Sequence, residues 1–195
     1  MPARTKRIGF LAGFFLLALV NCGGGGGGGG DDGGAGVIAD FTANCITSDP
    51  CYANAITGQK GTAAGNIVEV QIWLNKLNTA VGAASVDVGF DPTVADYQGF
   101  KEGTALGTSS GGTVYLDTES AGEVLVDIAP PAGGKSISSA AVMVTLTFKL
   151  IKTSAGSNFT FRSPNTLSGS ALYSTTGAII NLGSGGWTGG LFSAL

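Results

Sequence analysis

The chain has 195 residues, with ten lysines and arginines, thirteen aspartates and glutamates, and no histidine. This acidic balance argues against nucleic-acid binding, which requires clustered cations to displace the counterions of the phosphate backbone. The absence of histidine removes histidine-containing metal sites and the usual histidine-activated nucleophiles, and no pair of carboxylates is singled out by its spacing for acid–base work. The composition predicts a protein that is not an enzyme and has no dedicated metal site.

The first 21 residues have the pattern of a signal peptide. A head with three cations precedes residues 8–20, an almost uninterrupted apolar run that is short for a membrane span. The residues that lead into Cys22 resemble the lipobox of bacterial lipoproteins, in which the cysteine thiol receives a diacylglycerol and becomes the new N-terminus. Asn21 departs from the small residue that this pattern prefers. We expect cleavage before Cys22 and lipidation of its thiol; ordinary secretion and an uncleaved N-terminal anchor are the alternatives.

Residues 22–36 form the predicted tether. Eight consecutive glycines follow Cys22, and glycine runs behave as flexible coil with a typical span of about 20 Å for this length. Such a segment would hold a globular head clear of a lipid surface. Gly23 provides no aspartate retention signal after the cysteine, which favours the outer membrane in a bacterium with two membranes.

Two further cysteines fall in residues 37–55, which we assign to an N-terminal extension. In an exported protein Cys45 and Cys51 are expected to pair, because the five residues between them are rich in turn formers. A zinc site is the rival interpretation, but two thiols without histidine supply too few ligands.

From residue 56 to residue 195 the chain is dominated by short segments with a period of two. Apolar and polar residues alternate in most of them, and Gly, Ser, Asn and Pro separate them, which is typical of a β-sandwich. The predicted strands are residues 68–74, 86–90, 114–117, 123–128, 142–150, 159–162, 171–174 and 178–182.

The order of these motifs is similar to that of a cohesin domain. The Phe-Asp-Pro-x-Val turn at residues 90–94 and the Leu-Thr-Phe-Lys strand at residues 146–149 are the most specific parts. The resemblance covers about residues 56–183. Its segments are residues 66–74, 81–94, 99–106, 122–128 and 144–150.

The resemblance implies a fold and a kind of partner. The fold would be a nine-stranded jelly-roll β-sandwich, structurally akin to carbohydrate-binding modules. The partner would be a dockerin, a small calcium-loaded helical module, so that calcium is expected on the partner and no cofactor on this chain. No individual dockerin contact can be carried over to a residue of this sequence.

The alternation itself suggests a binding patch. If Val86, Val88 and the valines of residues 123–128 point into the core, their neighbours face solvent and provide an aromatic ring, an exposed leucine and two carboxylates. Ordinary solvent-facing strand residues are the plain alternative. The candidate partner-binding residues are Asp87, Gly89, Tyr115, Leu125 and Asp127.

Two tryptophans support a second hypothesis, direct glycan binding. Trp73 has an outward register in its strand, and Trp187 lies in a glycine-rich loop. Exposed indoles stack on sugar rings, although Trp187 also fits a core position at one end of the sandwich.

We therefore predict an exported lipoprotein, bound to the cell envelope through its lipid alone. Its single non-catalytic module would dock a dockerin-like protein for extracellular assembly or polysaccharide-related processes. A carbohydrate-binding module is the alternative.

Overall fold

The computed structural model describes residues 37–45, 54–107, 114–183 and 185–195. Residues 34–195 form one compact unit, and all the strands and the buried core described below lie within it. This unit therefore contains the contacts that it needs to fold by itself. The predicted signal peptide and tether lie outside the described residues, as does Cys51.

The described residues contain twelve strands and no helix, and consequently no helix that could cross a membrane. The strands are β1 Ala39–Ala43, β2 Ala55–Ala64, β3 Ile67–Asn75, β4 Val81–Gly89, β5 Ala95–Glu102, β6 Val114–Ser120, β7 Glu123–Ala129, β8 Ala141–Leu150, β9 Ser154–Phe161, β10 Ala171–Ser174, β11 Trp187–Thr188 and β12 Gly190–Ala194.

Two sheets form the predicted all-β sandwich. The larger has seven strands in the order β1-β12-β9-β4-β7-β6, with β10 also paired to β4, and the smaller has five in the order β11-β2-β3-β8-β5. Every strand pair is antiparallel except β11 with β2. The fold class is confirmed, whereas the strand count is higher than the nine that the resemblance implied.

The period-two pattern fixes which face of each strand is buried. In β4 and β7, Val86 pairs with Val126 and Val88 with Val124, and all four side chains are fully buried. Because alternate residues of a strand point to opposite faces, the residues between them form the outer face of the larger sheet.

Phe148, in the middle of the core, ties the two sheets together. Its fully buried ring lies 5.2 Å from that of Phe90, 5.0 Å from that of Phe192 and 6.0 Å from that of Phe159, measured between ring centroids. These tilted and edge-on contacts are the geometries that aromatic pairs prefer. Phe192 and Phe159 belong to the larger sheet and Phe148 to the smaller, so this cluster fills the space between the layers.

The N-terminal boundary of the sandwich differs from the prediction. Residues 39–43, assigned to an extension, form β1, which pairs with β12 over five residues, and Phe41 of this strand is buried in the core. The five residues of β1 are too few for a clear alternation. Cys45 just beyond it is buried and disulfide-bonded; its pairing with Cys51 stays a prediction.

Other assignments also change. β2 and β5 are not among the predicted strands, since apolar and polar residues do not alternate clearly in them. Residues 178–182 contribute only an isolated bridge between Tyr173 and Ile179. The run leaves β10 after Ile180, and the backbone N–H of Leu182 donates to Oδ1 of Asn165 instead. β12 was not predicted because it begins at Gly190, a poor strand former. A Cβ atom at this position would lie 2.3 Å from Cζ of Phe41, so the packing of β1 requires the glycine.

Candidate functional site

An open groove of about 280 Å³ lies on the outer face of the larger sheet. Its floor is formed by β4 and β7, and its wall by the connection between β9 and β10. We call this feature the groove. Among the residues that line it are Asp87, Leu125, Asp127, Leu167, Ser168 and Tyr173.

The register of β4 and β7 builds the floor. Asp87 lies directly opposite Leu125, and Ser85 directly opposite Asp127. Directly opposed residues share a face and have close Cβ atoms, so these four side chains form one surface with two carboxylates. Leu125 is half-buried and Asp127 exposed.

The wall is a loop, residues 162–170, that is held in place by hydrogen bonds. Asn165 adopts a positive φ of 62°, and its Oδ1 accepts a hydrogen bond of 3.0 Å from Nε1 of Trp187. The backbone N–H of Asn165 donates to the carbonyl of Ser170 at 2.8 Å. These bonds fix a loop whose tip presents Leu167 to solvent, 81% exposed.

Leu167 was missed at the sequence level. It stands alone in the stretch Ser163-Pro-Asn-Thr-Leu-Ser-Gly-Ser170, which has no periodicity to assign it to a face. The leucine itself is an indication of a functional position, since a large apolar side chain within a run of turn formers is unusual.

Ser170 joins the wall to the floor at a gap in the strand pairing. β4 pairs with β10 up to Ser85 and with β9 from Val88 onward, which leaves Asp87 between two partners. The hydroxyl of Ser170 occupies this gap: it accepts from the backbone N–H of Asp87 at 3.1 Å and donates to the Asp87 carbonyl at 2.6 Å. Ser170 is fully buried, so the pair of bonds is shielded from water.

The carboxylate of Asp87 is poorly solvated. The residue is only 4% exposed, so the prediction that it faces solvent is wrong: the loop that carries Ser170 packs against this part of β4. Its Oδ1 has no hydrogen-bond partner among the described residues. Nη1 of Arg162 lies 3.7 Å from that oxygen, beyond hydrogen-bond distance, and forms its closer ion pair with Glu123. Burial raises the pKa of Asp87, against the opposing effect of the Arg162 charge.

The structure brings three of the five predicted patch residues together and separates the other two from them. Asp87, Leu125 and Asp127 lie together in the groove. Gly89 lies on β4, the strand of Asp87, but outside the groove. A Cβ atom at Gly89 would lie 3.1 Å from Cδ of Arg162, so the Arg162 side chain covers this position. Tyr115 pairs with Ile128, a buried position, so the backbone register puts it on the other face from Asp127.

The two tryptophans do not share a surface. Trp187 packs against the core with its ring 5.4 Å from that of Phe161, as the core interpretation of this residue predicted. Trp73 is half-buried on the smaller sheet, and its Nε1 donates to Oε1 of Gln71 at 3.1 Å. A stacking platform built from both indoles is therefore excluded.

One other cleft of the described residues fits a binding function less well. A larger open cleft of about 550 Å³ lies at the β4–β5 turn, but the Asp91 carboxylate there already accepts from the backbone and hydroxyl of Thr93. No group of three or more His, Cys, Asp or Glu side chains in the described part of the chain could hold a metal ion.

Comparison with known proteins identifies one family. The cohesin domain model matches residues 53–183, which is more than half of the chain. No curated protein sequence matches.

Among solved structures, several cohesins of Acetivibrio cellulolyticus share the fold. A type II cohesin domain from its cellulosome has a TM-score of 0.50 at 14% identity, covering 82% of this chain and 95% of that one. The type II cohesin dyad of its ScaA scaffoldin has a TM-score of 0.55 at 18% identity, covering 69% and 47%. The sixth cohesin of its scaffoldin B, in complex with a Cel5 dockerin mutant, has a TM-score of 0.51 at 15% identity, covering 70% and 96%.

Proposed function

Because the chain belongs to the cohesin family, we propose that it is a non-catalytic docking module that binds a protein partner through the groove. The observation that carries this proposal is the exposure of Leu167. A large apolar side chain, 81% exposed, is held on a hydrogen-bonded loop and lines the same groove as the half-buried Leu125 of the sheet.

The chemistry of the groove resembles that of protein interfaces. Such interfaces place a few apolar anchors at the centre and polar groups around them. Here Leu125 and Leu167 are the anchors, and Ser85, Ser168 and Asp127 provide the polar surroundings. The loop is fixed before binding, so little conformational entropy is lost when a partner covers Leu167.

The proposed partner is a dockerin-type module, a helical domain that carries its own calcium. Support comes from the solved relatives, which include a cohesin in complex with a dockerin. A helix that packs along the groove would bury both leucines. We further propose that Cys22 carries a lipid, that the glycine-rich tether lets the domain reorient above the outer membrane, and that the assembly serves extracellular polysaccharide-related processes.

The test is affinity capture with residues 34–195 as bait, in calcium and in chelator. The proposal requires a captured protein with a duplicated calcium-loop segment, which binds in calcium only and loses about tenfold or more in affinity to Leu167→Ala, as for an interface anchor. Leu195→Ala is the matched control, since Leu195 is 83% exposed and lies outside the groove. Equal loss in both variants, or capture that is indifferent to calcium, would contradict the proposal.

Glycan binding is the second candidate, favoured by one observation. The half-buried Trp73 shares the outer face of the smaller sheet with Gln71 and, on the next strand, Gln59, and amides beside an indole suit the hydroxyls and apolar face of a sugar. Depletion of the domain by insoluble polysaccharide, lost in Trp73→Ala and kept in Leu167→Ala, would support this candidate over docking.

A further inference from the structure

One end of the sandwich has a cluster of exposed apolar side chains, and it is the end at which the chain enters the fold. In the described residues, the exposed large apolar side chains are Ile38, Ile151, Leu167, Leu191 and Leu195. Three of them lie at this end: Ile38 is 63% exposed, Ile151 49% and Leu195 83%. Ile38 lines two open cavities, one together with Ile151 and the other together with Leu195. We call these three residues, with residues 63–65, the end patch.

Ordered backbone holds the end patch in place. Ile38 and Leu195 exchange two backbone hydrogen bonds, of 2.9 and 3.2 Å. The carbonyl of Gly65, in the turn between β2 and β3, accepts from the backbone N–H of Ala39 at 2.7 Å. Ile151 donates its backbone N–H at 2.9 Å to the segment between β4 and β5. The apolar side chains therefore stand on a surface that is formed before any contact, so little conformational entropy is lost when they are covered.

The tip of the end patch has no charge, and the charges beside it are of both signs. Residues 63–65 are Ala-Ala-Gly, and all three are exposed. Three lysines and three aspartates lie in the cavities of the end patch or next to them. They are Lys60, Lys149, Lys152, Asp40, Asp91 and Asp96. An anionic surface therefore meets no excess of side-chain carboxylates here, unlike at the groove, which Asp87, Glu123 and Asp127 line. Lysine stems can also lie along apolar surface while their charged ends reach lipid headgroups.

The route of the chain indicates what the end patch meets. Residues 22–36 lead from the proposed lipid anchor to Val37, which lines one of the two cavities. A flexible link of this length typically spans about 20 Å and keeps the groups that it joins at an effective concentration on the order of millimolar. Contacts that are weak by themselves are populated under these conditions. Clustered exposed apolar side chains mark protein or membrane contacts, and the tether would keep a lipid surface next to this cluster.

We propose that the end patch is a membrane-contact surface, at which Ile38, Ile151 and Leu195 enter the headgroup layer of a phospholipid bilayer and hold the domain upright on it. This inference goes beyond docking and rests on the proposed lipid anchor at Cys22. The groove lies on the face of the larger sheet and not at its end, so it opens sideways and stays accessible to a partner.

The test holds the chain from Cys22 onward on a defined bilayer. ¹⁵N-labelled residues 22–195 are coupled through Cys22 to a maleimide lipid in nanodiscs of phosphatidylethanolamine and phosphatidylglycerol that also contain a gadolinium-chelating lipid. We expect the amide signals of Ile38, Ile151 and Leu195 to be attenuated most. The signal of Lys135 should be attenuated least, because Lys135 bridges to Val81 at the other end of the sandwich, where β4 begins.

Substitutions separate the end patch from the tether, since the tether alone also brings this end toward the lipid. Leu195→Ser and Ile151→Ser should each lower the ratio of bound to unbound domain about fivefold or more, as measured by the attenuation, because each removes an apolar side chain from the lipid. Leu167→Ser is the matched control: Leu167 is as exposed as Leu195 but lies in the groove, so the attenuation should not change. All three side chains are exposed, and the core stays intact in each variant.

Two results would overturn the inference. One is attenuation that is the same in Leu195→Ser, in Ile151→Ser and in the unchanged chain, which would mean that the tether alone places this end near the lipid. The other is a set of concentration-dependent shifts of the same amides without lipid, abolished by the same substitutions, which would assign the end patch to a second copy of the chain.

Failure of the inference is distinguishable from failure of the other proposals. The maleimide lipid supplies the anchor chemically, so the contact is measured whether or not the cell lipidates Cys22, and the mass of the protein isolated from its source tests lipidation separately. Capture of a partner by residues 34–195 needs no membrane. If a calcium-dependent partner is captured through Leu167 while Leu195→Ser leaves the attenuation unchanged, only the membrane contact is wrong.

Discussion

Replacement of Ser170 by alanine tests how the wall of the groove is attached to the sheet. The Ser170 hydroxyl makes two hydrogen bonds to the backbone of Asp87, at 3.1 and 2.6 Å. In the variant the Asp87 carbonyl keeps the 2.9 Å bond from the backbone N–H of Arg162, but the Asp87 N–H loses its partner at a buried position. An unsatisfied buried donor costs about 1–3 kcal/mol, and the removed oxygen leaves only a small space. We therefore expect the free energy of unfolding to fall by about 2 kcal/mol.

The assay is equilibrium denaturation of residues 34–195 in urea, with the slope of the transition compared between variants. Ser168→Ala is the control, because Ser168 is exposed in the same loop and its loss should change stability by less than about 0.5 kcal/mol. A loss below about 0.5 kcal/mol for Ser170→Ala would refute the reasoning, since it would mean that the hydroxyl does not replace a strand partner of Asp87.

Three further substitutions test the loop, the ion pair between Lys101 and the buried Glu69, and the core. Trp187→Phe keeps the ring but removes the donor to Asn165, so we expect a stability loss of about 1 kcal/mol together with weaker partner capture; unchanged capture would mean that this bond does not position the loop. The pKa of Glu69 is held below its ordinary value, chiefly by the hydrogen bond from Lys101. The stability that ionised Glu69 contributes is therefore complete above its unfolded-state pKa, and it is lost as the pH falls through its folded-state pKa. Glu69→Gln should therefore cost about 1 kcal/mol at neutral pH and nothing in strong acid, and a pH-independent difference in urea midpoints would contradict this. Phe148→Ala should cost about 3–5 kcal/mol by thermal or urea unfolding, and a loss near 1 kcal/mol would show that the sheets close over the cavity.

The long alternating strands were predictable because their signal is local. β3, β4, β7 and β8 place large apolar residues on one face, and this pattern predicts which face lies against the core. It does not predict the burial of Asp87 and Met143 on the opposite face. β1 and β12 were not predictable, since they are short and their strand character depends on pairing with each other. Gly190 shows the reason: its identity is set by the ring of Phe41, a contact across more than a hundred residues of chain.

The candidate site was predictable on the sheet but not on the loop. Asp87, Leu125 and Asp127 follow from the alternation, and the structure brings them together. Leu167 could not be placed, because its position depends on the bond between Asn165 and Trp187, which no local pattern encodes. The register of Tyr115 could not be predicted, because the sequence does not specify which residue of β6 pairs with Ile128.

The pairing of β1 has a mechanical consequence. All five residues of β1 pair with β12, and Ile38 and Leu195 add reciprocal backbone hydrogen bonds beyond it. Hydrogen bonds in an antiparallel pair lie perpendicular to the strands. A force applied at residue 38 along the strand therefore loads these bonds together, in shear, instead of opening them one after another. If the chain is anchored through Cys22 as proposed, tension from a bound partner is resisted by a complete strand of the larger sheet.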